Sequence, residues 1–170
     1  MRKLLCLAVP VITAGAAHAG GIELTVEIPK LSVAEYHRPY VAIWIEDASG
    51  KVAANLSVWY DVDLKDSEGE KWLKDIRQWW RRTGRTLDMP MDGVSSPTKA
   101  PGVNKVTFPS DKGALAKLAP GEYKLVVEAT REVGGKEMVE IPFKWAPGAE
   151  ATASAKGREE LGAITLKLTK

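Results

Sequence analysis

The sequence predicts a mainly β protein, an Ig-like antiparallel β-sandwich carrying one inserted helix rich in tryptophan and arginine. Three observations carry this expectation. Short segments alternate apolar and polar residues with a period of two. Gly, Pro, Asn and Asp punctuate them at short intervals. One stretch alone, Glu70–Arg82, shifts to a three- and four-residue period. The chain has 170 residues, 45% of them hydrophobic and 27% charged, which suits one folded domain and argues against general disorder.

The first element is a signal segment. Arg2 and Lys3 precede an apolar run from Leu4 to Ala17, and Ala17-His18-Ala19 supplies the small-x-small pattern of a cleavage site. Residues 1–19 are therefore read as a secretory signal for export to a periplasm, leaving 20–170 as a single sandwich domain. The apolar run is short for a membrane span, and no later segment is apolar enough to cross a bilayer. Removing Arg2 and Lys3 from the 24 basic side chains leaves 22, equal to the 22 acidic ones. Such a chain is formally neutral, lacks Cys6 and keeps only His37 of its two histidines. Thiol catalysis, a CxxC redox pair and cysteine-ligated clusters are excluded, and the charge balance gives no reason to expect nucleic acid as a partner.

Strands follow in order. Ile22, Leu24, Val26 and Ile28 alternate up to Pro29. Val41, Ile43 and Ile45 form a second alternating set within Tyr40–Glu46, and Ala48-Ser49-Gly50-Lys51 turns the chain into Val52–Tyr60. Val103–Phe108 lies between Pro101-Gly102 and Pro109. Tyr123, Leu125, Val127 and Ala129 share one face of the strand that starts at Pro120-Gly121. Gly134-Gly135 turns into Met138–Trp145, and Ala163–Leu168 closes the series at seven strands. Residues 86–102 and 146–162, rich in Pro, Gly, Ser or Ala, read as loops.

The helix at 70–82 places Trp72, Leu73, Ile76, Trp79 and Trp80 on one face, with Ser67 and Glu70 as a capping box. Five acids and one base lie in Asp61–Glu70, six bases and one acid in Lys71–Arg85, an arrangement that suits a helix dipole. An apolar stripe of this kind usually packs as core, here sealing one end of the sandwich. The alternative is a ligand or partner surface built from Trp79, Trp80, Arg77, Arg81 and Arg82, with tryptophan stacking and arginine pairing an anion.

Two further candidates are loops. His37-Arg38 could join that surface, and His37 with Met89 and Met91 could form a soft copper site if the segments converged. Asp92-Gly93-Val94-Ser95-Ser96-Pro97-Thr98 is, on its own residues, a loop with Asx-turn potential. No phosphate loop, Ser-His-Asp pattern or HExxH motif occurs, so no catalytic residue and no metal site is assigned.

Three blocks carry a family resemblance: His37-Arg38-Pro39-Tyr40 through Glu46-Asp47, Lys71-Trp72-Leu73 through Trp79-Trp80-Arg81-Arg82, and Pro120-Gly121-Glu122-Tyr123 through Ala129. Together they resemble an uncharacterised family of predicted periplasmic proteins, domain of unknown function 2271, from about Gly21 to the C-terminus. The resemblance implies no established activity. It implies an accessory role beside flavin transferases and PepSY-type membrane reductases, in extracytosolic electron transfer or iron reduction. Substrates of flavin transferases carry an Asp-x-x-Ser/Thr-Gly-Ala-Thr/Ser loop whose last hydroxyl receives FMN through a phosphoester. This chain has Asp92, Ser95 and Thr98 at the matching positions, with Ser96 and Pro97 in place of Gly and Ala. The resemblance thus implies FMN as the cofactor to test, with Thr98 as its attachment point.

Overall fold

A computed structural model describes residues 20–146 and 148–170. The signal segment expected at 1–19 lies outside the described residues. Among the described residues nine strands form two sheets. One has the order β5-β1-β9-β8 and the other β4-β3-β2-β6-β7. In chain order these are β1 Gly21–Ile28, β2 Tyr40–Asp47, β3 Val52–Tyr60, β4 Ser95–Pro97, β5 Gly102–Pro109, β6 Gly121–Thr130, β7 Lys136–Trp145, β8 Ala151–Lys156 and β9 Ala163–Thr169. All pairings are antiparallel except β3 with β4.

The two sheets face each other across the alternating residues read from the sequence. Ile22, Leu24, Val26 and Ile28 of β1 and Ile164, Leu166 and Leu168 of β9 meet Val41, Ile43, Ile45, Leu125 and Val127 of the second sheet. All are buried. Burying each such side chain contributes about 1.5–3 kcal/mol, so this layer supplies most of the driving force.

The second sheet is covered on its other face as well. Ala42, Trp44, Val58, Tyr60 and Val126 pack outward against Leu73, Ile76 and Trp79. Double coverage explains why β2 is buried along nearly its whole length, with only Asp47 partly open. It also corrects the expected position of the helical segment, which covers a sheet face rather than sealing an end.

That segment differs from the single helix expected at 70–82. A 3-10 segment covers Lys65–Asp75, broken by left-handed backbone at Asp66 and Ser67, and a short α-helix, α1, runs from Arg77 to Arg82. Ser67 sits at φ +53°, and the 3-10 segment starts without a side-chain cap, so the Ser67–Glu70 capping box does not form. The start of α1 is satisfied from the sheet instead. The Glu128 carboxylate on β6 accepts from the backbone N–H of Gln78 at 3.0 Å and of Trp79 at 2.9 Å. A buried carboxylate at a helix N-terminus satisfies donors that have no intrahelical acceptor. The single apolar face also breaks up: Leu73, Ile76 and Trp79 are buried, Trp80 is half-buried, and Trp72 is exposed.

Two strands were expected as loops. β4 interrupts 86–102 and β8 interrupts 146–162. In β8, Ala153 and Ala155 face the core while Thr152 and Ser154 face outward, an alternation carried by side chains too small to register as hydrophobic periodicity. β4 pairs Ser95, Ser96 and Pro97 with Val58, Trp59 and Tyr60. Proline is tolerated there because β4 is an edge strand.

Candidate functional site

A groove of about 580 Å³ opens where β2, the end of β6 and the 3-10 segment meet. Its lining includes Tyr36, His37, Arg38, Tyr40, Asp61 and Trp72, joined by Thr98, Thr130, Arg131 and Lys136. The volume falls within the range of small-molecule sites, about 300–1,000 Å³. Two candidates that the sequence held apart, His37-Arg38 and Thr98, therefore share one cavity.

The geometry builds from Asp61, just past the end of β3. Its carboxylate accepts from Tyr40 Oη at 3.3 Å and from Thr98 Oγ1 at 3.2 Å. Burial pushes the Tyr40 phenol up to about 12, so it stays protonated and donates. Thr98 is the first residue after β4, half-buried, with its hydroxyl oriented by this one acceptor. His37 lies between two carboxylates, with Nε2 2.8 Å from Glu35 and Nδ1 3.5 Å from Glu132. Arg38 and Lys136 are exposed at the rim, and Trp72 presents half of its surface to solvent.

The opposite wall rests on a buried ion pair. Arg131 Nε and Nη2 donate to Glu160 at 2.9 and 3.0 Å, and Gly135 N–H donates to the same carboxylate at 2.8 Å. The turn that carries Arg131 uses its two glycines for space rather than for backbone freedom. A Cβ on Gly134 would collide with the Arg131 guanidinium, and one on Gly135 would come within 2.8 Å of Glu160 Oε1. The left-handed position of this turn falls on Val133, at φ +51°. A β-branched residue is strained there.

The other expected site residues are dispersed. Asp92 is exposed and lines a separate groove with Met91, Leu56 and Phe108, while Ser95 Oγ accepts from Met91 N–H at 2.9 Å. Asp92 and Ser95 are thus not gathered around Thr98. Trp79 is fully buried, its Nε1 donating to Asn55 Oδ1 at 2.9 Å, so it is core and not part of an exposed surface. Arg82 is committed to Glu46 at 2.9 Å and to the Gly50 carbonyl at 3.0 Å. Arg77 and Arg81 are exposed beside half-buried Trp80. Met89 and Met91 pack against the outer apolar layer, so the copper constellation with His37 is not assembled.

Tyr36, Asp61, Thr130 and Arg131 carry no sequence signal of a site, while Tyr40 and Trp72 enter only through the His37–Tyr40 block and the helical stripe. Tyr36 and Tyr40 flank His37-Arg38, and an aromatic pair around a charged dipeptide is the nearest signal available. Nothing local marks Arg131, whose role depends on Glu160 at 29 positions' distance.

The fold and groove define a two-sheet β-sandwich protein with a helical layer over one sheet and a mixed aromatic and charged cavity at its margin. More particularly, the chain belongs to the family of predicted periplasmic proteins designated DUF2271, whose profile matches residues 21–163. Membership agrees with the export signal read from the N-terminus, and the protein is assigned to the periplasm. No helix among the described residues is long and apolar enough to cross a membrane. Neither a curated protein nor a solved structure matches the chain significantly.

FMN, the cofactor implied by resemblance, can be tested against these residues. It needs a flat apolar surface, cationic groups near a phosphate, and, for covalent attachment, a reachable hydroxyl. Trp72, the pair Arg38 and Lys136, and Thr98 supply these on one cavity. Thr98 follows β4 directly, so reaching its hydroxyl does not require breaking the pairing of Ser96 and Pro97 with β3. The donor set fits the group.

Proposed function

We propose that the protein is a non-catalytic periplasmic accessory protein of flavin-linked electron transfer or iron reduction, with the groove as the seat of FMN and Thr98 as its attachment point. The observation that supports this reading is the convergence of Thr98, His37-Arg38 and Trp72 on one cavity. When bound, the flavin supplies the electron chemistry, and the protein's part is to hold and orient it. Trp72 offers a stacking surface, Arg38 and Lys136 a counter-charge, and Asp61 an acceptor that fixes the Thr98 hydroxyl. A membrane reductase or a flavin transferase is the partner this role requires.

Co-expression with a flavin transferase tests the proposal. The expected result is yellow protein with an FMN mass adduct that Thr98→Ala abolishes. An unmodified mass sinks covalent attachment, and an unmodified mass without FMN fluorescence titration sinks the flavin role.

A second reading has its own support. Arg77 and Arg81 stand exposed beside Trp80, a basic and aromatic surface suited to docking an acidic partner protein. Pull-down from periplasmic extract with wild type and Arg77→Ala/Arg81→Ala addresses it. Equal recovery of partners by both counts against that surface.

A further inference from the structure

Five buried side-chain atoms among the described residues lack a hydrogen-bond partner, and three belong to residues lining the groove: Tyr36 Oη, Thr130 Oγ1 and Arg131 Nη1. Native proteins leave few such atoms, and buried donors without acceptors on residues that line one cavity suit a ligand that accepts from them. All three can donate. Arg131 has no other option, and burial keeps the Tyr36 phenol protonated. The guanidinium cannot turn away to find another acceptor, because Glu160 holds its Nε and Nη2. Its ring neighbour is Tyr36, 6.0 Å from the guanidinium carbon.

The charge of this end decides what it would accept. Glu160 balances Arg131, and Asp61, Asp75 and Glu132 line the same groove. At Arg131 a phosphate or carboxylate would meet a guanidinium already balanced by Glu160, while the cations open to a phosphate, Arg38 and Lys136, stand exposed at the rim. A neutral acceptor meets the donors without repulsion from the acids. The rim adds apolar surface, with Leu64, Trp72 and Val133 among the exposed large hydrophobic residues. Val133 is also the strained residue of the β6–β7 turn, and strain of this kind collects at ligand sites. Tyr36 sits on the stretch between β1 and β2, outside both strands.

We propose that this end of the groove is a subsite for an uncharged planar ring bearing carbonyl oxygens, lying against Trp72, Leu64 and Val133 while Tyr36, Thr130 and Arg131 donate to those oxygens. The proposal deepens the ligand-groove reading and rests on it, but not on attachment at Thr98.

Riboflavin, uncharged and bearing ring carbonyls, is the probe. Its fluorescence is titrated with the purified exported protein. Saturable quenching is expected, and Tyr36→Phe and Thr130→Val should each weaken it about 3–10-fold. Both variants remove atoms that lack partners in the free protein, so their thermal midpoints should equal or exceed wild type. Loss of binding without loss of stability separates a ligand contact from a structural one. Inorganic phosphate should not compete. Absent quenching, unaltered affinity in both variants, or competition by phosphate overturns the subsite. An unmodified Thr98 with intact riboflavin binding removes only the covalent reading. An FMN adduct on Thr98 without riboflavin binding removes only this one.

Discussion

Replacing Glu160 by alanine tests the wall on which the groove rests. The Arg131 and Glu160 side chains are 6% and 4% exposed, and the carboxylate accepts from Arg131 Nε, Arg131 Nη2 and Gly135 N–H. Glu160→Ala leaves a guanidinium buried without its counter-charge and a turn N–H without its acceptor. Removing one partner of a buried pair costs about 3–5 kcal/mol. Domains of this size hold about 5–15 kcal/mol in total, so the loss is a large fraction of it. The thermal midpoint should fall by about 10 °C. Urea unfolding followed by tryptophan fluorescence measures the change directly. The double variant Arg131→Met/Glu160→Leu removes both charges and fills the space with apolar atoms, and it should recover most of the loss. The reasoning fails if Glu160→Ala lies within about 1 kcal/mol of wild type, or if the double variant is less stable than the single one.

Three other outcomes follow from the packing. Trp79→Ala should cost about 3–5 kcal/mol, because the side chain is wholly buried, whereas Trp72→Ala should change stability by about 0.5 kcal/mol or less; similar losses by denaturant titration would contradict the layer assignment. Val133→Gly relieves a left-handed β-branched residue and should stabilise by up to about 1 kcal/mol while loosening riboflavin binding, and a lowered thermal midpoint would refute the strain. Burial pushes the Glu137 carboxyl up, but the backbone N–H groups of Arg158, Glu159, Leu161 and Glu160 together hold it below its ordinary 4.5. Its folded value is depressed, so its contribution is present above about pH 4.5 and is lost as pH falls through the folded value. Glu137→Gln should flatten the acid limb of the stability profile; an unchanged limb would show that Glu137 does not carry it.

The core strands were legible because their chemistry is local. Ile22 to Ile28 and Tyr123 to Ala129 alternate in sequence as they do in space. β8 was hidden because alanine, serine and threonine give no contrast between its two faces, and β4 because three residues ending in proline carry no period at all. The helix misled for a different reason. Trp72, Leu73, Ile76, Trp79 and Trp80 have helical spacing, yet Ser67 at positive φ and a 3-10 segment rotate Trp72 away from Trp79. Its actual cap, Glu128, is 49 residues from Trp79 and could not be found locally. The groove was half legible. His37, Arg38 and Thr98 stood out as residue types in unusual company, but Asp61, Thr130 and Arg131 acquire meaning only when β2, β6 and the 3-10 segment are brought together.

The position of β1 governs the order in which this protein can be assembled. Gly21 pairs with Thr169 on one side and Pro109 on the other, so the first strand lies between the fifth and the last. A chain threaded across a membrane with its N-terminus leading delivers β1 to the far side long before β9. Until then one edge of β1 and the apolar side chains Ile22 to Ile28 have no partner, which is the condition that invites misassociation. The separation also raises contact order and slows closure of the sheet. The same adjacency places Gly20 beside Lys170, where Thr169 O and Lys170 Cα crowd the space a Cβ on Gly20 would fill. A variant that links Lys170 to Gly20 and opens at the exposed Gly148 turn would make the sequence-distant pair β9–β1 neighbours. Such a permutant should fold faster than the natural order, with the sheets unchanged.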